Sequence, residues 1–78
     1  MSETIKYTRH AKNRMRWRRI SQQEVEDCIA NPDVTEASTT GRINAWRAVD
    51  QGYVRVTFRD NDEILVITVV RKRNGPGG

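Results

Sequence analysis

The chain of 78 residues contains one cysteine, Cys28, and one histidine, His10. A single cysteine excludes an internal disulfide. One Cys and one His fall short of the four ligands of an ordinary zinc site. No acid spacing suggests a hard-cation site either, so neither metal nor cofactor is expected. No apolar run approaches the ~20 residues needed to cross a bilayer, and the N-terminus has no apolar core of a secretory signal. The expected setting is therefore a reducing, bacterial-type cytoplasm, with no membrane partner. Aromatic residues make up 6% of the chain and prolines number two. The hydrophobic fraction of 36% permits a real but thin core for one small domain. Residues 21–40 contain no Lys or Arg at all.

What is present is charge in blocks. Residues 1–20 carry +6, residues 21–40 carry −5, and residues 41–78 carry +3, giving the net +4. Such segregation implies one side facing a polyanion and a separate acidic side. The densest stretch is His10-Ala11-Lys12-Asn13-Arg14-Met15-Arg16-Trp17-Arg18-Arg19, which adds a titratable ring and an indole to its cations.

Residues 3–7 suit a short first strand with Ile5 and Tyr7 on one face. Thr8 is a fair N-cap, and helix one is expected from Arg9 to Arg19. With about 100° between successive residues, Ala11 and Met15 form a narrow apolar stripe flanked by Arg18. His10, Arg14 and Trp17 fall within about 60° of one another on the next stripe. Ser21-Gln22-Gln23-Glu24 reads as a capping box, with Ile20 placed for a hydrophobic staple onto Val25. Helix two continues through Cys28 and Ile29 and ends at Asn31-Pro32, because the residue before proline disfavours the α region. The short join predicts an αα-hairpin. Cys28 lies on the apolar stripe and reads as a small core residue.

The remainder reads as sheet. Weak strand character over Val34–Thr39 is followed by a turn at Thr40-Gly41. Ile43–Val49 and Tyr53–Arg59 are separated by a turn at Asp50-Gln51-Gly52. Asp60–Glu63 then leads into Ile64–Val70, the most apolar strand. A two-residue turn at Asn61-Asp62 would pair Phe58 with Leu65, Val56 with Ile67 and Val54 with Val69, on one face. The other face would present Arg55, Thr57 and Arg59, with Arg42 or Arg47 as further candidates. The expected architecture is α+β: a two-helix hairpin on one face of a three- to four-stranded antiparallel sheet, with a short N-terminal strand as a possible addition. The domain covers residues 1–73, and 74–78 form a flexible tail.

The pattern His10-Ala11, Arg14-Met15, Arg18, Ile20-Ser21, continued by Glu24-Val25 and Asn31-Pro32, resembles a family of small bacterial domains of uncharacterised function. The Gly41-Arg42 pair and the hairpin ending in Val66-Ile67-Thr68-Val69-Val70 are also similar. The family usually has Gly where this chain has Arg19, which suits a left-handed helix end. In layout the family resembles RelE and BrnT type toxins. The resemblance implies an RNA-directed activity, or descent from one. The expected function is a toxin-type RNA-binding domain, extending to a metal-independent endoribonuclease, with an antitoxin-like acidic or amphipathic partner laid over the basic surface.

For such chemistry His10 is the candidate proton carrier, since imidazole changes charge around neutral pH. Arg14 and Arg55 are the candidate phosphate ligands. Arg18, Arg59, Trp17, Arg71, Lys72 and Arg73 are candidate nucleic-acid contacts, with Trp17 stacking on a base. The competing structural roles are specific. His10 would bond a strand carbonyl and lock helix one down. Arg14 and Arg18 would pair with Glu24 and Asp27. Trp17 would bury one face, and Trp46 would pack on the sheet. Two other functional classes fit the same residues: a non-catalytic nucleic-acid or ribosome-binding module, and a protein-interaction domain working through acidic helix two.

Overall fold

The computed structural model describes residues 4–38, 41–50 and 52–75. The proposed strand and turn residues Glu3, Thr39, Thr40 and Gln51, and the last three residues of the expected tail, lie outside this range. The chain order is β1 (Ile5–Tyr7), α1 (Arg9–Arg18), α2 (Gln22–Ala30), β2 (Val34–Ala37), β3 (Ile43–Val49), β4 (Gly52–Asp60) and β5 (Ile64–Lys72). The strands form one sheet in the order β1-β5-β4-β3-β2. The α+β layout is as expected, but the sheet has five strands and is mixed, because β1 runs parallel to β5.

Local chemistry accounts for both helix starts. The Thr8 hydroxyl accepts from the Ala11 N–H at 3.0 Å and also donates to the Ile67 carbonyl at 2.9 Å. One side chain thus satisfies a free helical donor and fastens α1 to β5. Ser21 accepts from the Glu24 N–H at 3.1 Å. The reciprocal half of the capping box is replaced: the Glu24 carboxylate turns to Arg71, 3.5 Å away. Ile20 and Val25 are both buried in the core, as a staple requires.

Between the helices, Arg19 adopts φ 55°, ψ 44°. Its N–H bonds the Arg16 carbonyl and the Ile20 N–H bonds the Met15 carbonyl at 2.8 Å. This is a Schellman ending with arginine in the position that favours glycine. The helices therefore join as the glycine-containing motif would, at the expense of a left-handed arginine. α1 lies mainly on β5 and β1, and α2 on β4 and β3, so each helix packs chiefly on the sheet rather than on the other.

The core is the layer between helices and sheet: Ala11, Ile20, Val25, Cys28, Ala45, Val54, Val56, Phe58, Ile64, Val66 and Val69. The β4–β5 register differs from the expected one. Asp60 pairs with Ile64 across a three-residue connection, Phe58 pairs with Val66, and Thr57 pairs with Thr68, skipping Ile67. The three-residue connection sets Val66 opposite Phe58, and the bulge then sets Val69 opposite Val56, so these two meet the helix-side residues in place of Leu65 and Ile67, which are only half-buried. Arg47 is likewise on the helix side, donating to the Asn31 carbonyl at 2.7 Å.

Two glycines are needed for close approach. A Cβ on Gly52 (φ +139°) would collide with the Lys72 carbonyl. One on Gly75 would stand 2.9 Å from the Tyr53 ring. The chain therefore still packs at Gly75, beyond the point where the tail is expected to begin.

Candidate nucleic-acid interface

α1 buries only Ala11 fully, and Met15 packs against the core. The rest of its surface is largely cationic and open to water. Arg9, Lys12, Arg16, Arg18 and Arg19 are exposed and Arg14 is half-buried. Among the described residues the only ion pairs are Lys6–Glu63 and Arg71–Glu24, so none of these six cations has a carboxylate partner. Pairing of Arg14 and Arg18 with Glu24 and Asp27 does not occur, because the acids of α2 are engaged elsewhere. Glu24 meets Arg71, Glu26 accepts from Tyr7 at 3.2 Å and from Gln22 at 2.8 Å, and Asp27 accepts from Gln23 at 2.9 Å.

His10, Asn13, Arg14 and Trp17 line a shallow hollow of about 300 Å³. The i, i+3, i+4, i+7 spacing of a helix places all four on one face. The expected grouping of His10, Arg14 and Trp17 is therefore present. Asn13 was missed, although its position three after His10 and four before Trp17 carries the signal. His10 is exposed and makes no hydrogen bond to a strand carbonyl; Thr8 performs that fastening. Trp17 is 80% exposed, so the expected burial of one ring face is not found.

Arg55 does not reach this hollow. Its neighbours Val54 and Val56 are buried beneath the helices, so Arg55 projects from the opposite sheet face. There its guanidinium carbon lies 5.7 Å from the centroid of the Trp46 ring. Trp46 is buried, donates from Nε1 to Glu36 at 3.0 Å, and meets Tyr53 edge-on at 6.3 Å. On the same face Thr57 donates to the Asn44 side-chain oxygen at 2.6 Å. These groups mostly serve one another. The expected convergence of His10, Arg14 and Arg55 is thus divided by the thickness of the sheet.

The remaining cations are dispersed. Arg59 borders a hollow with Asp62 and Glu63, an unfavourable place for phosphate. Arg71 turns to the helix side and Glu24, while Lys72 pairs across the sheet with Tyr53 on the other face. Arg73 is exposed beyond β5. Alternation along the strand splits the Arg71-Lys72-Arg73 run rather than presenting it as one patch.

Two hydroxyl or thiol groups have displaced protonation. Burial, followed by the nearby Glu26 carboxylate, pushes Tyr7 up to about 12. That makes it a poorer proton donor than an ordinary tyrosine. Burial pushes the Cys28 thiol up to about 11. Its Sγ donates to the Ala45 carbonyl at 3.2 Å, the behaviour of a core residue rather than a nucleophile. Among the described residues no three His, Cys, Asp or Glu side chains cluster to hold a metal, and no helix is long and apolar enough to cross a membrane.

The family described as a domain of unknown function, DUF4258, matches residues 7–71, and the chain belongs to it. Neither the curated proteins nor the solved structures compared with the chain give a significant match.

Proposed function

We propose that this DUF4258 domain binds RNA through α1, as a toxin-type RNA-binding module. The observation that carries the reading is the helix bearing Arg9, Lys12, Arg14, Arg16, Arg18 and Arg19 with no carboxylate partner among the described residues, beside an indole left 80% exposed. The helix has no acid in its first turn and begins with Arg9 at the positive end of its dipole. Arg9 there is unfavourable by a few tenths of a kcal/mol to ~1 kcal/mol, whereas Arg16 and Arg18 in the last turn are favourably placed, so the case for an anionic partner rests on the unpaired cations and not on the dipole. The step from polyanion to RNA rests on the likeness in layout to RelE and BrnT type toxins, an analogy of fold. An acidic, antitoxin-like peptide covering α1 would be the matching protein partner.

Binding without cleavage fits the geometry better than endonucleolysis. Cleavage would rest on His10 and Arg14 alone, with Arg55 on the other sheet face and Tyr7 a weakened acid. Titration of an RNA oligonucleotide over a salt series tests the proposal. Affinity should fall with salt, with a log–log slope of about −0.7 per neutralised phosphate on a single strand. Replacing Arg9, Arg14 and Arg16 together by Glu should abolish it. Salt-independent affinity, or none, defeats the reading. Growth arrest on induction in a bacterium, lost with the same triple variant, tests the toxin part. RNA shortened by the native protein and left intact by His10→Ala would reinstate the nuclease.

A further inference from the structure

Resting on that RNA-binding reading, we propose that the hollow on α1 takes one unpaired nucleotide, so that the domain selects single-stranded RNA over duplex. The four lining groups are chemically complementary to such a unit. The Trp17 indole offers a flat face on which a base can stack. The Arg14 guanidinium presents a planar fork of donors suited to phosphate oxygens. The Asn13 amide has both a donor and an acceptor for a base edge, and the His10 ring adds a further nitrogen for a phosphate or a ribose hydroxyl. The hollow of about 300 Å³ is at the bottom of the usual range for small-molecule sites, roughly 300–1,000 Å³.

Selection against duplex follows from stacking. In a helix both faces of each internal base are already covered, so the Trp17 ring has no face to meet unless a base is first unstacked. The deep, narrow major groove of A-form RNA also excludes the side chains of an approaching protein helix. The indole has no competing role inside the fold: the aromatic contact between described residues is that of Trp46 with Tyr53, and the cation over a ring is Arg55 over Trp46. The platform is also held in place. Thr8 ties the start of α1 to β5, and the Schellman bonds with buried Ile20 fix its end. A rigid support lowers the ordering penalty on binding.

The experiment compares one mixed-sequence RNA dodecamer, single-stranded and annealed to its complement, by fluorescence anisotropy against the native protein, Trp17→Ala and Trp17→Phe. Trp17 is exposed, so neither substitution threatens the fold. The native protein should favour the single strand by about tenfold or more. Trp17→Ala should lower single-strand affinity by a similar factor, leave duplex affinity unchanged and be largely rescued by Trp17→Phe. Equal native affinity for both forms, an equal loss for both in Trp17→Ala, or no loss at all would overturn the nucleotide site while leaving RNA binding by α1 intact. The last result would point instead to a protein partner for the indole. No binding of either form by the native protein defeats the underlying RNA reading, and this inference with it.

Discussion

Arg55 lies over Trp46 at 5.7 Å, on the side of the sheet away from His10 and the rest of α1. A cation held on an aromatic face contributes roughly 0.5–2 kcal/mol, according to how dry the site is, and the arginine stem also shields the ring. Its Nε is buried without a partner. The stacking on Trp46 gives Arg55 a role in covering the indole.

Replacing Arg55 with Ala should therefore lower stability by about 1 kcal/mol and shift tryptophan emission to the red, while RNA affinity stays within twofold of native. Urea denaturation and the anisotropy titration read both quantities. A loss of affinity as large as that of the α1 triple variant would instead place the sheet face in the binding surface.

The Thr8 hydroxyl fastens α1 through two hydrogen bonds, one to its own helix and one to β5, beside the backbone bond from the Thr8 N–H to the Val66 carbonyl. Thr8→Ala removes an N-cap and leaves the Ile67 carbonyl short of a donor. The expected destabilisation is about 1–2 kcal/mol, seen as a lower urea midpoint with an unchanged slope. Stability equal to native would show that neither bond matters.

Arg19 is the sole non-glycine residue with positive φ among the described residues. Left-handed geometry disfavours an L-residue by roughly 1–2 kcal/mol, and the greater freedom of glycine in the unfolded chain offsets part of the gain. Arg19→Gly should raise stability by about 0.5–1 kcal/mol. A lower unfolding midpoint would mean that the arginine makes a contact worth more than its backbone strain.

Burial raises Tyr7 and Cys28 above their ordinary values of 10.0 and 9.0, to about 12 and about 11. For both, the folded state holds the proton more tightly than the unfolded state. Their contribution to stability is complete below pH ~9 and declines as pH rises towards ~12. The urea midpoint should fall over that interval, and less steeply in Tyr7→Phe. At neutral pH a disulfide reagent should label Cys28 only after unfolding. Rapid labelling of the native protein would contradict its buried position.

Much of the architecture was legible because it is local. Thr8 and Ser21 as caps, the Ile20–Val25 staple, the Val25-Cys28-Ile29 stripe and the alternation of Val54, Val56 and Phe58 all follow from short-range geometry that sequence spacing expresses directly. The His10, Arg14 and Trp17 stripe was legible for the same reason. The β4–β5 register was not, since Ile64–Val70 is apolar at nearly every position, so its alternation does not say which residues face the helices, and the three-residue connection and the bulge at Ile67 together put Val66 there rather than Leu65 and Ile67.

The amino-acid order by itself determined where the helices begin, which residues share a helix face, that Val54, Val56 and Phe58 of β4 face the core, and that one helix would be overwhelmingly cationic. Only the tertiary structure decided that β1 joins β5 in parallel, that Glu24 goes to Arg71 and leaves the α1 cations without carboxylates, and that Arg55 and His10 are held apart. Periodicity assigns a side chain to a face of its own element. Which neighbour that face meets depends on pairings between residues distant in sequence, such as Thr8 with Ile67 and Glu24 with Arg71, and these exist only once the chain is folded.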